Sequence, residues 1–165
     1  MTHLARFVVL LAAALFLSAC AGGLSQKARS QVNYSGSFRA LQQQPYLYTD
    51  KVVMLGGKII STEVSTADTR LLVLHVSLDN NGRPRDELSS EGRFIIRTDQ
   101  FVDPAIYPPG TLISAAGRVV GSERRTIGQM DYEYPVIQLI EIKKWPPPGS
   151  SEPSFHFGIG VGTYF

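Results

Sequence analysis

The sequence predicts an all-β domain, folded as a small five-stranded Greek-key barrel behind a cleaved leader and one short helix. Three observations carry that prediction. Beyond the leader, apolar residues come in short runs separated by Gly, Pro, Asn and Asp, and none of these stretches has helical periodicity. Five of the runs are long enough to be strands. Two of them, the first and the fourth, echo one another: Gly57-Lys58-Ile59-Ile60-Ser61-Thr62-Glu63 and Gly117-Arg118-Val119-Val120-Gly121-Ser122-Glu123. Glycine inside a strand marks a bulge or a bend, and two long bent strands are what a small closed barrel needs.

Each element follows in order. Residues 1–19 read as a leader: His3 and Arg6 lie in an N-region without acid, and residues 7–17 are an unbroken apolar run. That run is shorter than the roughly 20 residues a spanning helix needs and matches the apolar core of a signal peptide. Ser18 and Ala19 follow, then Cys20, the one cysteine of the chain. Residues 20–36, rich in Gly, Ser, Gln and Ala, read as a tether. The domain then spans residues 37–145. Residues 38–44 form a short helix that stops before Pro45. The strands are residues 52–60, 71–78, 94–96, 112–120 and 136–142. In the second, alternation puts Leu72, Leu74, Val76 and Leu78 on the core face and His75 outward. Asp79-Asn80-Asn81-Gly82-Arg83-Pro84 is a turn cluster, and Asp103-Pro104 starts another turn in which the aspartate bonds its own backbone. Five strands with bends in the first and fourth fit a barrel of the OB type; an open β-sandwich of similar size is the alternative.

Charge excludes little but narrows the partners. Lys and Arg number 16 against 14 Asp and Glu, a net +2, without the basic stripe of a nucleic-acid binder. One cysteine makes neither an internal disulfide nor a zinc site. Its setting accounts for it differently: Leu17-Ser18-Ala19-Cys20 resembles the bacterial lipobox at all four positions. That resemblance implies diacylglycerol on the Cys20 sulfur, cleavage before Cys20, and a third acyl chain such as palmitate on the freed amine. Several acyl chains hold a protein at a bilayer without a spanning helix. Ala21, where a retention aspartate would stand, favours the outer membrane.

A wider resemblance covers the mature chain. Leu55-Gly56-Gly57-Lys58-Ile59-Ile60, Leu74-His75-Val76-Ser77-Leu78-Asp79, Gly82-Arg83-Pro84, Gly92-Arg93-Phe94, Phe101-Val102-Asp103-Pro104-Ala105-Ile106-Tyr107, Gly117-Arg118-Val119-Val120-Gly121 and Tyr132-Glu133-Tyr134-Pro135-Val136 occur in that order. Together they resemble the Slp family of starvation-inducible outer-membrane lipoproteins. The resemblance implies a lipid-anchored protein in the outer membrane, facing the periplasm and serving the envelope under starvation or acid stress. It supplies no catalytic residues.

The search for chemistry is mostly negative. Catalytic residues, metal ligands and cofactor sites are all expected to be none, and the chain is read as no enzyme. His3 leaves with the leader, His75 reads as a surface histidine, and His156 has no acid or cysteine at metal spacing. Asp79-x-Asn81 begins like a calcium loop, but Arg83 stands where the next ligand belongs. Asp99 and Asp103 could face one another across a turn as an acid/base pair, although solvated loop acids explain them better. The rival to a structural role is a binding module, in which the barrel face holds an envelope molecule or oligosaccharide. For a nucleic acid the available aromatics are Tyr107, Tyr132 and Tyr134, near Arg118, Arg124 and Arg125 only if the strands pair as expected.

Residues 146–165 form a Pro-rich linker and then Phe155-His156-Phe157-Gly158-Ile159-Gly160-Val161-Gly162-Thr163-Tyr164-Phe165, which alternates aromatic or β-branched residues with glycine. That alternation is a strand signal. The segment could extend the domain's own sheet, lie on the membrane, or pair with a partner's sheet edge. The reading preferred here is contact with the membrane or an outer-membrane protein.

Overall fold

The computed structural model describes residues 23–85 and 89–147. The leader, Cys20, the acids that follow Arg85 and the C-terminal segment with His156 lie outside them. Five strands, β1 (Val52–Val64), β2 (Thr69–Val76), β3 (Arg93–Thr98), β4 (Leu112–Ile127) and β5 (Met130–Trp145), close into a barrel in the order β1-β2-β3-β5-β4. Every pairing is antiparallel except β3 with β5, which run parallel from Ile95–Val136 to Arg97–Gln138. This is the Greek-key barrel of the OB type.

The fourth and fifth strands run further than the sequence reading placed them. Gly121 and Pro135 punctuate the sequence, yet neither ends a strand. Gly121, at φ 125°, sits where the β4–β5 register shifts, a bulge after which pairing resumes. The ladder then continues to a tight turn at Gly128, φ 62°.

The barrel interior is filled by Val53, Leu55 and Ile59 of β1, Leu71 and Val73 of β2, Phe94 and Ile96 of β3, Ile113, Ala115 and Val119 of β4, and Ile137 and Ile142 of β5. Full burial of each large aliphatic or aromatic side chain stabilises by about 1.5–3 kcal/mol. Two other segments seal this core. Helix α2 (Phe38–Gln43), which follows α1 (Gln26–Gln31), begins where Ser37 accepts the Ala40 N–H and contributes Phe38 and Leu41. The loop from β3 to β4 contributes Val102 and Tyr107.

Two sequence expectations are corrected here. The stretch from Gly23 to Ser35 is not a loose tether. It carries helix α1 (Gln26–Gln31), capped by Ser25, and buries Leu24 and Ala28 against Met54, Ala116 and Ile140 on the outside of the barrel. The Ser25 N–H donates to Glu141 at 2.6 Å, and Asn33 exchanges two hydrogen bonds with Val52. A six-residue helix of linker-like composition has too few apolar positions to show a period. The second correction is the phase of β2. Leu71, Val73 and His75 point inward, and Leu72 and Leu74 point out. Strands covered on both faces are apolar on both faces, so alternation does not tell them apart.

Candidate functional site

The outer face of β2 and β3 is where an OB barrel commonly meets its ligand, and in this chain its own hairpin covers it. Leu72, Ile95 and Val136 form a floor. The far half of the β4–β5 hairpin leans over them with Ile127, Tyr132 and Tyr134. Tyr134 is 2% exposed, its ring tilted against Tyr132 with 4.6 Å between centroids. The Tyr132 hydroxyl accepts the Arg93 N–H at 2.7 Å.

A row of ion pairs pins the rim of this cover. Arg70 bridges Asp68 at 3.0 Å and Glu123 at 2.8 Å. Arg125 bridges Glu123 at 2.6 Å and Glu63 at 2.7 Å. The hydrogen bond from Arg70 holds the Asp68 carboxyl below its ordinary range, and Glu63 with Glu123 raises the Arg125 guanidinium. The pairing does bring Arg125 opposite Tyr132 and Arg124 opposite Glu133. The rings nevertheless pack inward instead of forming a platform. Tyr107 lies in the barrel core, where burial raises its phenol, and Arg118 donates to the Asp50 carbonyl at 3.3 Å.

His75 is the titratable group the structure places most differently from the sequence reading. It is 7% exposed, and its imidazole stacks on Phe38 with centroids 4.1 Å apart and planes 6° off parallel. Its Nδ1 is buried without a hydrogen-bond partner, 4.0 Å from a Glu91 carboxylate oxygen. Burial pulls the imidazole down to about 4, with Glu91 opposing. The expectation of an outward surface histidine followed from the wrong phase of β2. The aspartates behave as turn residues: Asp79 accepts from the N–H groups of Asn81 and Arg83, and Asp103 from that of Ala105. Among the described residues no three His, Cys, Asp or Glu side chains gather as a metal site.

Sequence reasoning missed a cluster at the end of β5. The Trp145 Nε1–H donates to Ser114 Oγ at 2.7 Å, and Ser114 donates in turn to the Gly82 carbonyl. The Lys143 ammonium lies 4.3 Å from the Trp145 ring centroid and the Arg83 guanidinium 5.5 Å from it. Burial pushes the Lys143 ammonium down, with Glu141 opposing. Lys at one residue and Trp two later on one strand face is the only local signal; Ser114 and Arg83 come from far along the chain. Beside α1, Arg29, Val32, Asn33, Tyr34, Ser35 and Met54 line an open groove of about 520 Å³.

Comparison with known proteins decides the family. The sequence model described as the outer membrane lipoprotein Slp family matches residues 17–159. The chain belongs to the Slp family of outer membrane lipoproteins. The Slp match starts at Leu17, the first residue of the lipobox-like tetrad, and takes in the whole barrel. The chain is 35% identical over 121 residues to an uncharacterized protein of Haemophilus influenzae, covering 73% of this chain and 64% of that one. It is 30% identical to the uncharacterized lipoprotein YeaY of Escherichia coli over 70% of this chain and 63% of YeaY. It is 26% identical to the outer membrane protein Slp of the same organism, over 87% and 76%. The chain thus spans just under two thirds of the length of the first two relatives. Among solved structures, a small single-stranded DNA-binding protein from Streptomyces coelicolor matches 61% of this chain and 98% of its own at 12% identity. Its TM-score of 0.41 is too low for that likeness to carry an argument about ligands.

Proposed function

We propose that this Slp-family chain is held in the outer membrane by acyl chains on Cys20, and that its barrel faces the periplasm as a non-catalytic part of envelope maintenance in starvation or stationary phase. The family match that begins at Leu17 carries this reading. Its support in the packing is the outer face of β2 and β3, where Tyr132 and Tyr134 are spent on the chain's own hairpin. Mass spectrometry of the mature N-terminus is expected to find a triacylated Cys20. Fractionation of Cys20→Ala is expected to move the protein out of the membrane. An unmodified Cys20, or an unchanged fraction, overturns the anchor. Stationary-phase cells lacking the gene are expected to survive detergent worse than wild type, and equal survival overturns the stress role.

The groove of about 520 Å³ beside α1 favours a second reading, a module that holds a small envelope molecule. A ligand present at a hundred times its dissociation constant stabilises the fold by about 2.7 kcal/mol. Thermal shift against soluble cell-wall fragments separates the two readings, since the first expects no shift with them.

A further inference from the structure

Both ends of the described residues leave the barrel at one place. Gly23 lies against the 79–84 turn, so near that a β-carbon there would stand 3.0 Å from the Asn81 carbonyl oxygen. Pro146 meets the same turn: its carbonyl accepts a hydrogen bond from the Arg83 guanidinium at 3.1 Å. Neither attachment is loose. Upstream, Leu24 and Ala28 are buried and Ser25 is bonded to Glu141. Downstream, Trp145 is tied through Ser114 to Gly82 of the turn itself. The turn is stiffened by the Asp79 carboxylate, which accepts from Asn81 at 2.8 Å and Arg83 at 2.9 Å.

Cys20 precedes Gly23 by three residues, a span of at most roughly 10 Å when fully extended. Acyl chains on Cys20 therefore hold this turn close to the lipid. Among the described residues, the charge there suits anionic headgroups. Helix α1 exposes Lys27 and Arg29 and contains no acid. The nearby carboxylates of Asp79 and Glu141 are turned onto the chain's own donors. The sequence beyond Pro147 includes residues 155–165, whose aromatic and aliphatic side chains favour the membrane interface.

We infer that α1, the 79–84 turn and Pro146 form a membrane-facing edge that rests on the headgroups of the leaflet holding Cys20, and that residues 155–165 enter the same leaflet. The hairpin tip at Gly128–Met130, at the opposite ends of β4 and β5, points away from it. This inference rests on the lipidated Cys20 proposed above.

With Cys20 acylated, an introduced cysteine is the one free thiol of the full-length protein. Asn81→Cys, Met130→Cys and Thr163→Cys are each labelled with a fluorophore. Each lipidated protein is then inserted into phosphatidylethanolamine/phosphatidylglycerol vesicles that carry a headgroup spin label. The labels at 81 and 163 are expected to be quenched at least threefold more than that at 130. Equal quenching at 81 and 130, on protein that floats with the vesicles, overturns the orientation and leaves the anchor standing. Quenching at 81 but not at 163 overturns the placement of the C-terminal segment. Protein that does not float with the vesicles overturns the anchor itself.

Discussion

Acid should destabilise this barrel through His75 before it protonates most of the carboxylates. The imidazole is buried on Phe38 with an unpartnered Nδ1, so the folded state takes up its proton only near pH 4, whereas the unfolded chain does so near 6.5. Between those values the unfolded state binds more protons, so stability falls as pH falls through that window and is flat on either side. Full protonation of the unfolded state against a neutral folded one is worth about 3 kcal/mol, with a slope of at most about 1.4 kcal/mol per pH unit. Glu91, 4.0 Å away, opposes the shift and sets its lower limit. His75→Phe keeps an aromatic ring against Phe38 and removes the titration. Urea unfolding followed by Trp145 fluorescence at pH 7.5, 6, 5 and 4.5 should show wild type losing about 2–3 kcal/mol relative to the variant across that range. Parallel curves for the two proteins would refute the reasoning.

Other perturbations follow from the same contacts. Gly57→Ala would drive a β-carbon into the Val73 side chain and to 2.7 Å from the Leu74 carbonyl oxygen, backbone that cannot move aside; a loss of about 2–3 kcal/mol is expected in urea unfolding. Leu24→Ala should cost about 2 kcal/mol, the low end for a buried leucine since the site lies on the barrel's outside, and should speed tryptic cleavage at Lys27 and Arg29. Trp145→Phe removes the hydrogen bond to Ser114 and weakens the hold on Lys143; about 1–2 kcal/mol should be lost, read by circular dichroism during unfolding. Arg125→Ala breaks two partly exposed ion pairs; the cost should be about 1 kcal/mol or less at low salt, and it should shrink in 1 M sodium chloride.

How far the sequence could be read depended on the range of each interaction. The five strands were legible because most of the breaks between them are written in local turn chemistry: Asp79 and Asp103 cap their own turns, and Gly110 takes positive φ. The far ends of β4 and β5 were not, because pairing resumes beyond the bulge at Gly121. The short helix at Phe38 was legible for the same reason, with Ser37 before it and Pro45 after it. Where a residue's partner lies far along the chain, the reading failed. The phase of β2, and with it His75, depended on the β4–β5 hairpin lying over Leu72 and Ile95, which made the outer face as apolar as the inner one. Helix α1 looked like a linker because its partners, Met54, Ala116 and Ile140, come from three other strands.

By itself, then, the sequence determined the strand count and the irregularity beside Gly117, and it carries the lipobox-like tetrad that ends at Cys20. These rest on backbone conformations and short motifs, whose physics is confined to a few neighbouring residues. Tertiary structure alone decided that Tyr132 and Tyr134 cover the outer face instead of presenting it, that His75 is buried, and that Gly23 and Pro146 meet at the 79–84 turn. Those outcomes depend on closing the barrel, which brings Arg70 to Glu123 and Ser25 to Glu141. A sequence read along its own length contains no signal for contacts that only closure creates.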